Sequence, residues 1–141
     1  MVNFHMHPTA RVASYTALTR EFRRREAQAH ELVRLSRTGY PTVLGGDANA
    51  APLNEAYKIL ASEYQDAWRQ AGSGLGHTFP TPYIAPGLER NQLGGIEIPP
   101  WVVRIDYIFY SPQWDASSAW FAPPDGVSDH RGILASLFIK D

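Results

Sequence analysis

The segment that most limits how this chain can fold is Pro41-Thr-Val-Leu-Gly-Gly-Asp-Ala-Asn-Ala-Ala-Pro52. Thr42, Val43 and Leu44 form a short apolar, partly β-branched run, which reads as a buried strand. Gly45 and Gly46 interrupt it, and Pro52 keeps it from continuing. Between them come Asp47 and Asn49. Residues two apart on extended backbone point the same way, so this strand end delivers a carboxylate and an amide together. In α/β folds, ligands bind at such strand ends, and the glycines leave room for a ligand to approach the backbone. A carboxylate beside an amide can hold a metal, a water or a phosphate oxygen.

The flanking segments put this strand in an α/β order. Val2 to Met6 alternates, with Val2, Phe4 and Met6 on one face and Asn3 and His5 on the other, and His7-Pro8 ends it. From about Ser14 to Arg37 runs a charged helical segment without internal Gly or Pro. Ser14 stands as its N-cap and Gly39 as its stop, with Leu18, Phe22, Ala29, Leu32, Val33 and Leu35 toward the core. Strand, helix, strand favours two parallel or neighbouring strands in one sheet, with the helix packed on its face. Asn54 caps a second helix to about Ser62, and Asp66 to Ala71 makes one or two further turns. Gly72 to Gly76 reads as a flexible connector and His77 to Phe79 as a short extended piece. Residues 83 to 100, with three Pro and three Gly, read as a long loop of the kind that carries function. Trp101 to Tyr110 is the strongest strand, Trp114 to Phe121 its hairpin partner, Pro123 to Gly126 a turn, and Gly132 to Ile139 a last apolar strand. The expected fold class is α/β, a mixed sheet with helices on one face, in one domain over residues 1–141.

The 141 residues suffice for a single modest core. Net charge is −1, so no overall basic field points to nucleic acid, although a local basic cleft stays open. The absence of cysteine excludes disulfides and thiol chemistry. No apolar run reaches the length of a membrane span and no signal-peptide pattern follows Met1, so a cytoplasmic setting is the default expectation.

Four polar clusters stand on strands or at their ends: His5 with Asn3, Asp47 with Asn49, Asp106, and Asp129 with His130. Asp106 lies among apolar strand residues, where an unpaired carboxylate costs several kcal/mol, so it needs a partner, either His130 or a cation such as Arg104. An aspartate that fixes a histidine tautomer frees that histidine to take or give a proton. His5 and His7 form a His-x-His pair, too few ligands for a zinc site. His77 either faces substrate or caps a strand.

Gly45-Gly-Asp-Ala-Asn-Ala50, Arg104-Ile-Asp-Tyr-Ile108 and Ser128-Asp-His-Arg131, in that order, together with Asn3-Phe-His5, resemble the endonuclease/exonuclease/phosphatase superfamily. Asp66-Ala-Trp68 followed by Gly72 to Phe79 looks like its bacterial VanJ- and YafD-like branch. The resemblance implies a hydrolase of phosphate esters (a phosphodiesterase, nuclease or phosphatase) acting through an activated water. It implies His130 as general base or acid at the scissile phosphate, oriented by Asp106. It implies Asp47 as the carboxylate that positions the water and helps hold metal, Asn49 as a phosphate contact, and Asp129 as a second metal-side aspartate. His5 would help bind or polarise the phosphate, and His77 would contact substrate. Hard oxygen ligands imply Mg²⁺ or Mn²⁺.

The family fold is a four-layer α/β sandwich of two similar halves, and this chain resembles only the second, so the N-terminal half with its metal-binding glutamate is expected to be lacking. Two expectations follow: a phosphoesterase completed by a missing half or by a homodimer, or a truncated, inactive member serving as a dimerising or binding module. The substrate is a phosphate ester, be it nucleic acid, phospholipid head group or small molecule. Specificity is expected in residues 77 to 100.

Overall fold

The computed structural model describes residues 1–8, 15–82, 92–93, 96–123 and 126–140. Strand β1 (Val2–His5) leads to helix α1 (Tyr15–Ser36), strand β2 (Val43–Asp47), helix α2 (Glu55–Glu63), short strand β3 (Gln65–Asp66) and helix α3 (Ala67–Ala71). Two-residue strands β4 (Gln92–Leu93) and β5 (Ile96–Glu97) follow, then β6 (Asp106–Tyr110), β7 (Trp114–Phe121) and β8 (Ile133–Ile139). The main sheet has the order β1-β2-β6-β3 and is mixed: β1 runs parallel to β2, while β2 and β3 each run antiparallel to β6. β4 with β5, and β7 with β8, form two separate antiparallel pairs. No described helix is long and apolar enough to cross a membrane.

The β-α-β reading is borne out, and its cause is visible in the packing. Leu44, Tyr107 and Phe109 point from the sheet into one core with Ala29 and Val33 of α1 and Ala56, Tyr57 and Leu60 of α2. The rings of Tyr57, Tyr107 and Phe109 lie 5.1 to 5.7 Å apart, so the sheet and α2 meet through aromatic contacts. The helix face differs from the periodicity argument. Buried positions are Glu21, Arg25, Ala29, Val33 and Ser36, a stripe of i+4 steps closed by one i+3 step, whereas Leu35 is 60% exposed. Glu21 and Arg25 enter the stripe because the chain after β1 meets them: Glu21 accepts from or pairs with His7 Nε2 at 2.8 Å, and Arg25 donates to the His7 carbonyl at 3.4 Å.

Four further expectations need correction. The strand expected over residues 101–110 begins only at Asp106; before it Trp101 takes a left-handed conformation (φ 58°) and Val103 makes a single bridge to Phe79. β7 is not the hairpin partner of β6, because β2 and β3 already fill both edges of β6; β7 pairs with β8 instead. Asn54 does occupy the N-cap position of α2, but its side chain accepts from the Ala51 amide at 2.7 Å and makes no bond to the helix. Gly72 to Gly76 is a wrap around the Trp68 indole. A Cβ on Gly72 or Gly76 would come within 2.6 or 2.5 Å of that ring, and the Gly74 carbonyl accepts from Trp68 Nε1 at 3.1 Å. The proposed N-cap Ser14 and most of the 83–100 loop lie outside the described residues, as does part of the 123–126 turn.

Arg104 does not pair with Asp106. It donates to Asp66 at 2.7 Å, with both side chains no more than 5% exposed. Asp66 also accepts from Tyr57 Oη (2.8 Å) and the Trp68 amide (3.0 Å), so one carboxylate joins α2, the start of α3 and the approach to β6. Replacing one partner of such a pair leaves the other charge buried alone, at a cost of about 3–5 kcal/mol. Asp66→Asn is therefore expected to lower unfolding free energy in urea by about that amount. A loss under about 1 kcal/mol would contradict the role assigned to this carboxylate.

Candidate functional site

Strand register assembles the site. His5 of β1 lies opposite Asp47 of β2, and Asp47 lies opposite Asp106 of β6. Residues directly opposite across a sheet share a face, so one histidine and two carboxylates stand in a row at one end of the sheet, on the side away from α1 and α2. This register requires a close fit at Gly46, where a Cβ would sit 1.8 Å from the Phe4 carbonyl oxygen. Gly45 has open space at the same position and lines the exposed face. The two glycines thus serve different ends, one admitting the neighbouring strand and one leaving the face open.

Beyond β2 the chain turns through Asn49, whose left-handed conformation (φ 46°) an asparagine tolerates better than most residues. Its amide donates to Asp47 Oδ1 at 2.7 Å, and its side-chain Nδ2 donates to Asp47 Oδ2 at 2.8 Å and to the Met6 carbonyl at 3.1 Å. Asn49 therefore orients the Asp47 carboxylate and ties it to the end of β1. Burial is the largest influence on Asp47 and pushes its carboxyl above the usual range; the Asn49 hydrogen bond opposes this, and the Asp106 charge reinforces it.

His130 arrives from the loop before β8. Its Nδ1 lies 2.9 Å from Asp106 Oδ2, its ring packs on Phe79 at 4.8 Å, and its amide donates to Ser128 Oγ at 3.0 Å. With Nδ1 engaged by Asp106, Nε2 is the nitrogen open to a reacting group. Burial works to lower the His130 pKa, but the Asp106 hydrogen bond and the charges of Asp106, Asp47 and Asp129 outweigh it, and the net shift is upward from 6.5.

The structure thus brings together Asp47, Asn49, Asp106 and His130, with His5 Nε2 3.5 Å from Asp47 Oδ2. Asp129 stands at the margin, its Oδ1 3.9 Å from His130 Nε2 and its side chain 47% exposed. His77 is not part of this cluster; its Nδ1 bonds the Trp101 carbonyl. His7 turns away to Glu21, so the His5-x-His7 pair does not converge. Thr78 was not legible as a site residue. It is fully buried, and its Oγ1 accepts from the amides of Ile105 and Asp106 at 3.1 and 3.3 Å, fixing the start of β6 behind the Asp106 carboxylate. Its only sequence signal was its place between His77 and Phe79.

Ligand atoms of Asp47, Asp106 and His130 lie within 4.8 Å of one another. Two hard carboxylates, one destabilised as an anion by burial and by its neighbour, suit a divalent cation with oxygen preference. The donor set fits such an ion.

The sequence profile of the endonuclease/exonuclease/phosphatase family matches residues 4–130. The chain belongs to this family. No curated protein matches it significantly. Among solved structures, the chain is similar to a conserved protein of unknown function from Enterococcus faecalis, at 22% identity and a TM-score of 0.68 over 98% of this chain and 49% of that one. It is also similar to an endonuclease/exonuclease/phosphatase from Bacteroides vulgatus (25% identity, TM-score 0.63, 84% of this chain, 45% of that one). A third likeness is to a mannosyl-6-phosphatase of Bacteroides thetaiotaomicron (19%, TM-score 0.57, 97% and 50%). The family chain described here spans about half the length of these structures.

A histidine whose folded pKa is raised adds stability that is fully present below its unfolded value and fades as pH rises through the folded one. In metal-free protein, wild type is expected to exceed Asp106→Asn in urea stability below about pH 6.5, with the difference shrinking at higher pH as His130 deprotonates. A difference that stays constant from about pH 5 to pH 9 would remove the Asp106–His130 coupling.

Proposed function

We propose that this chain carries the catalytic centre of a divalent-metal-dependent phosphoesterase that hydrolyses phosphate esters with an activated water. The observation that carries this reading is the convergence of Asp47, Asp106 and His130 within one cluster, with Asn49 and His5 beside it. Membership in the family, and likeness to a structure named as a mannosyl-6-phosphatase, support a hydrolase acting on phosphate esters.

His130 presents Nε2 to the reacting group while Asp106 holds Nδ1, so the ring exchanges a proton with the phosphate or leaving oxygen in a fixed tautomer. Asp47, oriented by Asn49, accepts a hydrogen bond from the attacking water and aligns it. The exposed His5 ring beside Asp47 is the group assigned to a phosphate oxygen; both side-chain N–H groups of Asn49 are already given to Asp47 and the Met6 carbonyl, so a phosphate contact there would have to displace one of them. Asp47 with Asp106, and Asp129 at the margin, are the residues that would hold Mg²⁺ or Mn²⁺, which would supply Lewis-acid stabilisation of phosphate charge.

A second reading is favoured by one observation. The sheet face beyond the site opens into a groove of about 840 Å³ lined by Val43, Gly45, Ile108, Ile133, Ala135 and Leu137. An apolar face of this kind fits a module that associates with a partner or a second copy and has no turnover of its own. The two readings separate on hydrolysis of phosphate mono- and diesters with Mg²⁺ or Mn²⁺. Metal-dependent turnover is expected, abolished by chelation, and reduced at least a thousandfold in His130→Ala, on the scale of a lost general base plus its electrostatics. Turnover undiminished in that variant would refute the catalytic assignment, and a chain that binds no Mg²⁺ or Mn²⁺ by calorimetry would favour the associating module.

A further inference from the structure

Arg131, the residue after His130, has a setting that the catalytic cluster does not use. Its guanidinium carbon lies 3.7 Å from the centre of the Trp101 ring and 4.0 Å from that of Phe121. The guanidinium is therefore in close contact with two aromatic rings. Phe121 is backed in turn by Trp68 at 4.2 Å, whose indole is held by the Gly74 carbonyl and hemmed by Gly72 and Gly76. Among the described residues no carboxylate or other acceptor bonds the guanidinium; the polar contact of Arg131 is through its backbone amide, which donates to the Thr78 carbonyl at 2.8 Å.

The second wall of this clamp is held under strain. Trp101 sits in the left-handed region at φ 58°, a conformation costly for a bulky side chain and one that persists only where its surroundings enforce it. They do so here from both sides of the peptide: the Trp101 amide donates to the Pro80 carbonyl at 2.9 Å, and the Trp101 carbonyl is bonded by His77. His77 thus acts on the ring that stacks on Arg131 and not on the cluster itself.

The clamp also leans on the wall of the catalytic cluster. Residues Thr78 to Pro80 receive the Arg131 amide and the Trp101 amide, and between them the Phe79 ring covers His130. Arg131 is one Cα step, about 3.8 Å, from the proposed general base. A guanidinium packed against two rings, with no acceptor on its N–H groups among the described residues, has a planar fork matched to phosphate or carboxylate oxygens still unspent. Stacking has already restricted the side chain, so little rotamer entropy is lost when an anion arrives.

We propose that Arg131, clamped between Trp101 and Phe121, is an anion-binding fork that takes a second phosphate group of the substrate, one that is not cleaved. The substrate class is accordingly a phosphate ester with at least two phosphates, either a small bisphosphate or adjacent phosphates of a nucleic-acid chain. This substrate class rests on the phosphoesterase reading, but the fork itself is tested by binding alone.

The full chain, labelled with ¹⁵N and kept in EDTA, is titrated with inorganic pyrophosphate while the Arg131 Nε–H resonance is followed by NMR. A saturable shift of that resonance is expected, with affinity at least tenfold weaker in Arg131→Gln, several-fold weaker in Arg131→Lys, and retained in His130→Ala. Inorganic phosphate, having one phosphorus centre, is expected to bind more weakly than pyrophosphate. A single-stranded deoxyribonucleotide dimer with a terminal phosphate then distinguishes the two sources: tighter binding than pyrophosphate assigns a nucleic-acid chain, weaker binding a small bisphosphate. An Arg131 resonance unmoved at saturating pyrophosphate in the wild-type chain, or equal affinity in a folded Arg131→Gln, would overturn the proposal. The wild-type resonance decides the question even if the glutamine variant does not fold. Anion binding at Arg131 in a chain without turnover would retain the fork and reject the phosphoesterase reading.

Discussion

The site depends first on strand register. β2 is read from both sides, parallel by β1 and antiparallel by β6, and only one alignment puts His5, Asp47 and Asp106 side by side. A slip of one residue would turn His5 on the β1 side, or Asp106 on the β6 side, to the helix-covered face. Gly46 sets the alignment on one side, because its missing side chain lets the Phe4 carbonyl come close. On the other side the Tyr107 and Phe109 rings and the Tyr107 hydroxyl, which donates to the Ala50 and Arg104 carbonyls at 2.8 Å, set β6 against the core. The polar end of the sheet is thus positioned by the apolar and buried polar contacts of its other face.

Two carboxylates of the main sheet, Asp66 on β3 and Asp106 on β6, do different work. Asp66, almost wholly buried, is neutralised by Arg104 and satisfied by Tyr57 and the α3 amides, and it holds elements together. Asp106, partly buried at the start of β6, has a histidine for partner and Asp47 for a neighbour. Burial and pairing tie up the first charge, while the second remains available for chemistry. Arg104, two residues before Asp106, is therefore a structural cation, and the orienting role falls to the Asp106–His130 contact.

Much of this was legible in the residues. Gly-Gly-Asp-Ala-Asn read as a strand end delivering two polar side chains or as a plain Asx turn, and the motifs elsewhere in the chain favoured the first; Ser-Asp-His before an apolar strand marked the histidine. The β-α-β order followed from a long helix between two short apolar runs. The parts that were not legible depend on contacts between distant residues. Nothing local distinguishes the pairing of β7 with β8 from pairing with β6; the occupied edges of β6 decide it. Helical periodicity placed Leu35 inside, but the chain after β1 needed Glu21 and Arg25 there. The glycine run looked like slack because its reason, the Trp68 indole, comes from tertiary packing. Thr78 carried no signal, since its role is a pair of hydrogen bonds to backbone amides across the fold.

The central claim is that sheet register makes Asp47, Asp106 and His130 a single cation and phosphate site. Substoichiometric Mn²⁺ broadens NMR signals steeply with proximity and so locates a bound ion without any assay of turnover. Broadening is expected to centre on Asp47, Asp106 and His130, to be least at the opposite end of β2 and β6 around Thr42 and Ser111, and to be lost in Asp47→Ala. Broadening centred elsewhere, or none while the chain remains folded, would contradict it.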